Sequence, residues 1–304
     1  MTGAGPRPFE LVPRRRFVGA PFGHRRSARR GEGDEVAGTR PYRPGDQRAH
    51  IHWPASARLS AARGTDEFVV REFYADEAPC VAVVCDRRPA MAIHSGPGPG
   101  LDKRAAVAAA ARLIAASADA EHADLVYADG VGAAPVFLRA GTRGSTLPQR
   151  LDGEFDAPEQ SLRLALDALA RRSTELPSGS FVFAVSDFLV PVPAALWLHL
   201  RARLWDVVPV VVQDPVWEQS FPEVGGVVLP IEDPASGRPA DLFVSGREAR
   251  ARAGAHAARW DALRGRFRRL GFDPVLVGTD DPFAIANAFA RWADRRRRLR
   301  RSTR

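Results

Sequence analysis

Three apolar runs of strand length constrain this chain more than anything else in it: "CVAVVCD" at 80–86, "GSFVFAVSD" at 179–187 and "DVVPVVVQD" at 206–214. Each is continuously apolar rather than alternating, as in a strand buried on both faces of a parallel sheet. Between them lie helix-forming stretches at 101–120, at 158–172, where Leu162, Leu166 and Leu169 recur at helical spacing, and in "PAALWLHLRARLW". "DLVYAD" and "AAPVFLRA" read as two short strands around "GVG", and "GGVVLPIED" with "ADLFVS" as a hairpin. A long helix is predicted over about 246–270, then a short run in "DPVLVGTD" and a last helix from about 282. The "TDDPF" at its start offers capping acids and a first-turn proline. Strands alternating with helices predict an α/β fold, a mostly parallel sheet with helices on both faces.

All three runs end in an acid. In open parallel sheets the working crevice lies outside the carboxyl ends of the strands. Asp86, Asp187 and Asp214 are therefore expected to converge on one edge. A metal-assisted phosphohydrolase using these acids is one function such an edge could host. No other motif adds to it. The chain has no GxxxxGK[ST], HExxH, GxSxG or paired CxxC. His50 and His52 would share a face if extended, but two ligands make a poor zinc site.

Residues 1–78 have a different texture, rich in Gly, Pro and Arg, with short extended pieces such as "PFELV" and "DEFVVREFY". They are expected to form a β-containing extension, with residues 79–304 as the α/β domain. Within the extension, "GTRPYRPGDQRAHIHWPASARL" at 38–59 predicts a tight turn at "RPGD", where Pro44 presets one dihedral and Gly45 admits a positive one. Asp46 can cap that turn or pair with Arg40 or Arg48. Trp53 is expected to anchor the segment, and Arg58 to reach an acid or a main-chain carbonyl.

The net charge of +8 suggests an anionic partner. All but one of the 44 basic residues are arginine, however, with Lys103 the exception. So uniform a bias looks like a coding habit and weakens the inference. The arginine-rich stretches at 14–30 and 295–304 read as a solvated loop and a frayed tail. Docking of an acidic protein, anionic lipid or nucleic acid is the sharper alternative. Cys80 and Cys85 would point to opposite faces of one strand and cannot bridge. There is no signal-peptide core, and the most apolar stretch carries Asp187, Pro191, Pro193 and His199. The expected compartment is the cytoplasm, with membrane association only through partners.

The stretch at 38–59 resembles the signature of the domain of unknown function 58 family, R-x-Y-x-x-G-D-x-x-R-x-I-x-W-x-x-x-A-R. Arg40, Tyr42, Gly45, Asp46, Ile51, Trp53, Ala57 and Arg58 match it, Arg48 stands one position ahead of the pattern's second arginine, and His52 departs from it by standing where an acid commonly precedes the tryptophan. The resemblance continues through "FVVREFYADEAPCVAVVCD", "FVFAVSDF" and "VQDPVWEQSFPEVGGVVLPIEDPASG". It implies a von Willebrand factor type A-like domain after the signature. In such domains the first strand ends in D-x-S-x-S, and that acid, its serines, a threonine and a second aspartate hold a divalent cation. Asp86 and Asp187 stand at the two acid positions, Arg88 and Ala90 where the serines belong, and "GEFDAP" supplies no threonine.

A guanidinium from Arg87 or Arg88 would then take the cation's place, leaving a degenerate metal-ion-dependent adhesion site, with a retained weak Mg²⁺ site as the alternative. The resemblance further implies a non-enzymatic, adaptor or chaperone-like role beside a MoxR-type AAA+ ATPase and client proteins. A salt-sensitive nucleic-acid binder using the arginine-rich ends is the remaining alternative.

Overall fold

The computed structural model describes residues 5–14, 26–44, 46–64, 67–76, 80–93, 100–130, 136–138, 153–172, 176–234 and 236–302. Two compact units emerge: residues 15–79, and residues 1–14 together with 80–304.

In the smaller unit, β1 (Arg26–Pro41) pairs antiparallel with β2 (Val69–Asp76), and α1 (Trp53–Arg63) lies between them in sequence. The ladder shifts register three times along β1, and such irregularities bend and twist a two-stranded ribbon. Its core is thin. Ile51, Val69 and Val70 are buried, and the one buried residue of α1 is Ser56, whose hydroxyl accepts from the Val69 amide at 2.9 Å. α1 ends where Gly64 adopts a φ of 66°, which a residue with a Cβ rarely takes.

The larger unit is an α/β domain of Rossmann-like kind. In chain order it comprises β3 (Cys80–Cys85), α2 (Lys103–Ala120), β4 (Asp124–Asp129), β5 (Val136–Leu138), α3 (Ser161–Arg171), β6 (Phe181–Ser186), α4 (Ala194–Ala202) and β7 (Asp206–Val212). The hairpin β8 (Val227–Glu232) and β9 (Pro239–Val244) follows, then α5 (Gly246–Leu270), β10 (Val275–Val277) and α6 (Pro282–Ser302). The sheet runs β10-β7-β6-β3-β4-β5, parallel except for β5.

Every residue of β3, β6 and β7 is buried, as their unbroken apolar sequence requires. Alternate side chains serve two cores. Cys80, Ala82, Val84, Val182 and Ala184 face a layer built from α3, α4 and α5, where Leu166, Leu169, Trp197 and Phe267 pack. On the opposite side Phe181 and Phe183 meet Phe289 and Trp292 of α6, beside α2. The two cysteines are buried thiols, free of any disulfide. Burial pushes the Cys85 thiol up to about 12, so it is an inert core side chain.

Helix ends follow their local chemistry. Asp102 caps α2 by accepting from the Ala105 amide at 2.9 Å, and Asp281 accepts from Phe283 and Ala284 ahead of α6. Gly130, after β4, passes so close to α3 that a Cβ there would lie 2.7 Å from Ser161 Cα.

Two sequence expectations need correction. Residues 1–14 belong with the α/β unit rather than with the extension, because Phe9, Leu11 and Val12 are buried and Phe9 stacks on Phe289 at 4.6 Å. "PFELV" is not a strand. Nor is the arginine-rich terminus simply frayed: α6 continues to Ser302, and Arg296 turns inward. It donates to both oxygens of Asp206, at 2.7 and 3.1 Å, and to the Val12 carbonyl, with its guanidinium 4.3 Å from the Trp292 ring centroid. Among the described residues no helix is long and apolar enough to cross a membrane.

Candidate functional site

β3, β6 and β7 are neighbours in the sheet, so their carboxyl ends bring Asp86, Asp187 and Asp214 to one edge, as the apolar runs predict. What lies between the first two is a side chain. Arg88 donates from Nε to Asp86 Oδ2 at 2.9 Å and from Nη2 to Asp187 Oδ1 at 2.5 Å, bridging the two carboxylates. The loop is preset for this. The Arg88 amide also donates to Asp86 Oδ1, and Pro89 begins a short 3-10 turn directly after Arg88. Asp86 is held further by the Ser186 hydroxyl at 2.7 Å. Arg87 goes elsewhere: its amide donates to Ser161 Oγ, and its guanidinium sits over the Phe155 ring at 4.3 Å.

A second cation, unforeseen in the sequence, completes the cluster. Lys103, in the first turn of α2 and only 3% exposed, donates from Nζ to Asp187 Oδ2 at 3.0 Å and to Glu218 Oε1 at 2.5 Å. Asp187 thus has one cation on each oxygen. Behind it, Gln213 donates to the Asp187 carbonyl at 2.5 Å. The next residue, Phe188, adopts a φ of 55°, unusual for a bulky side chain, and is pinned by its edge-on contact with Phe267.

The electrostatics follow from the geometry. Burial opposes ionisation of Asp187 most strongly, yet Lys103 and Arg88 overcome it and hold the carboxyl below the usual range. Burial likewise opposes the charge on Arg88 and on Lys103, and the facing carboxylates outweigh it, so both stay protonated. At Glu218 burial wins and its pKa is raised, although Lys103 offsets part of that. Asp214 stands apart. Its carboxylate accepts from the amides of Leu101, Val216 and Trp217, tying down the chain beyond β7. Each acid that a phosphohydrolase would need is therefore engaged with a guanidinium, an ammonium or main-chain amides. Among the described residues no group of three or more His, Cys, Asp or Glu side chains is arranged to hold a metal ion.

The turn at 38–59 is built from the same residue types but near the surface. Arg40 clasps Asp46 with two hydrogen bonds, 2.7 and 2.6 Å, and the Arg43 amide donates to Asp46 Oδ2 at 2.7 Å. Those contacts, the Arg40 hydrogen bond foremost, lower the Asp46 pKa to about 2. Asp46 thus caps the turn and pairs with Arg40, not with Arg48, which is exposed. Arg58 is also exposed and reaches neither an acid nor a carbonyl among the described residues. Gly45 lies outside the described residues. Trp53 is no buried anchor: it is 61% exposed at the start of α1 and meets Phe68 edge-on, as Tyr42 does from another direction.

The model of the family described as "Protein of unknown function DUF58" matches residues 38–262, most of the chain and both of these arrangements. The chain belongs to the DUF58 family. No curated protein matches the sequence significantly. Two solved structures are similar at low level. An aerotolerance-related membrane protein from Bacteroides fragilis is 10% identical with a TM-score of 0.39, covering 72% of this chain and 100% of that one. An uncharacterized membrane spanning protein from Vibrio fischeri is 14% identical with a TM-score of 0.23, covering 68% and 95%. Likenesses this distant bear on neither fold nor function.

The departure of this DUF58 chain from the signature has a local explanation. His52, standing where an acid is common, is the N-cap of α1, and its Nδ1 accepts from the Ala55 amide at 3.1 Å. A neutral imidazole nitrogen can fill the same capping role as a carboxylate oxygen.

Proposed function

We propose that this DUF58 protein is a non-enzymatic protein-interaction module, a von Willebrand factor type A-like domain whose metal-ion-dependent adhesion site has become an ion-pair cluster. One observation carries the reading: the Arg88 guanidinium lies between Asp86 and Asp187, where a cation would otherwise have to sit. Lys103 adds a second fixed positive charge. Two carboxylates already neutralised by side-chain cations have little to offer a divalent ion, and a dication brought beside them is repelled. No described nucleophile sits against a free general base at that edge, so a platform for contacts fits better than a reaction centre. The family resemblance supplies the partner class, a MoxR-type AAA+ ATPase, with the protein acting as its adaptor or chaperone-like companion toward client proteins.

Two measurements test this. Titration calorimetry with Mg²⁺ or Mn²⁺ should show no site tighter than millimolar in the native protein, and a tighter one overturns the degenerate-site reading. Affinity purification of the tagged protein should retain a MoxR-type ATPase in a nucleotide-dependent manner. Phosphoesterase activity that requires metal and vanishes in Asp187→Ala would favour the enzyme instead.

A further inference from the structure

The edge strand β10 lies in a groove that the family match does not reach. α5 passes on one side of the strand and α6 on the other, and between them opens a cavity of 480 Å³. Arg264 and Arg268, one helical turn apart on α5, line one wall. Arg291 and Arg295 line the other from α6. Among the described residues the only acid in the lining is Asp273. Arg268 and Arg291 are exposed and make no side-chain hydrogen bond or ion pair among the described residues. Among the described residues Arg264 reaches Asp261 at 3.9 Å and lies 6.0 Å from the Trp260 ring centroid, and Arg295 reaches Asp273 and the Pro274 carbonyl, each at 3.4 Å. The floor is apolar, with Phe272 beneath and Leu276 on β10, 45% exposed.

We propose that this groove seats an extended acidic segment of a partner protein, laid along β10. A sheet edge is where an extended chain adds most readily, and charges of one sign around it choose which chain may approach. Four guanidiniums against one carboxylate repel basic segments and attract acidic ones, while Leu276 and Phe272 take an aliphatic side chain between the acids. A second copy of this chain is a poor occupant, since it carries the same positive excess. Single-stranded nucleic acid is disfavoured because no exposed aromatic ring in the groove offers a base a stacking surface.

The proposal deepens the interaction reading and rests on it, but the two fail separately. The probe is a fluorescein-labelled peptide of repeating Glu-Glu-Val, followed by anisotropy against the full chain. Saturable binding is expected, weakening with salt and falling tenfold or more in Arg268→Glu/Arg291→Glu. Arg268→Gln/Arg291→Gln should fall between, with an unchanged melting temperature because neither side chain is buried or paired. Equal binding to native and charge-reversed protein overturns the proposal, as does the absence of saturable binding. Tighter binding of oligothymidylate than of the peptide overturns it in favour of nucleic acid. Loss of ATPase association with peptide binding intact would sink the adaptor reading alone.

Discussion

The two units each contain an arginine clasped to aspartate, and the two clasps work under different rules. Arg40 and Asp46 meet at the surface of the smaller unit, where side-chain exposures of 30% and 18% leave water to screen them. Arg88 bridges Asp86 and Asp187 at exposures of 7%, 1% and 0%. An exposed pair contributes little beyond fixing a local turn. A buried one is costly to assemble and more costly to leave half-made, because the surviving charge has no solvent. The same chemistry therefore shapes a loop in one place and specifies the meeting of three strands and a helix in the other.

The largest expected effect lies in the buried cluster. Arg88→Ala leaves Asp86 with no facing cation and Asp187 with Lys103 alone, and should cost about 3–5 kcal/mol, read by urea denaturation. A loss no larger than that of an exposed pair would erase the distinction between the two sites. Arg88→Ser sharpens it further: if the guanidinium replaces a cation, millimolar Mg²⁺ should raise the melting temperature of this variant and leave the native protein unmoved.

Lys103→Met comes next. Asp187 retains Arg88, so the loss should be smaller, about 2–3 kcal/mol, but its pH dependence is informative. The folded pKa of Asp187 is depressed, so its contribution is full above the ordinary value of 3.8 and is lost as pH falls through the lower folded value. Glu218 is raised above 4.5 and acts oppositely, favouring the folded state once protonated and losing that advantage as pH rises through its folded pKa. Removing the ammonium that faces both should move the acid limb of the stability curve upward, measured by denaturation at a series of pH values.

The smallest effect belongs to the surface clasp. Arg40→Ala should leave the melting temperature close to native, while carboxyl NMR follows Asp46 from a midpoint of about 2 back toward 3.8. Lost unfolding cooperativity in that variant would show that the turn braces its whole unit.

Much of this contrast was legible from residue order. Continuous apolar runs ending in acids placed Asp86 and Asp187 on one edge, and "DRR" next to the first acid put a guanidinium within reach. Which arginine answered was not legible, since the choice depends on Phe155, far along the chain, drawing Arg87 away. Glu218 and Gln213 were invisible for the same reason: Lys103 and Glu218 lie 115 positions apart, and only the folded sheet edge joins them. Lys103 itself left a trace. Where every other basic position is arginine, the one lysine marks a place that suits a compact ammonium between two carboxylates better than a planar fork. Arg296 left one too, continuing the buried stripe of Ile285, Phe289 and Trp292 at helical spacing. The exposure of Trp53 left none, because a tryptophan at a helix start reads alike whether it is covered or bare.

That solitary lysine gives the chain an unusual property as a reagent. Amine-directed chemistry, whether an active ester, reductive methylation or a lysine-specific protease, can find just one side-chain target here, and the native fold hides it. Modification at that position would time the opening of the sheet edge, with no engineered probe and no competing lysine elsewhere on the chain.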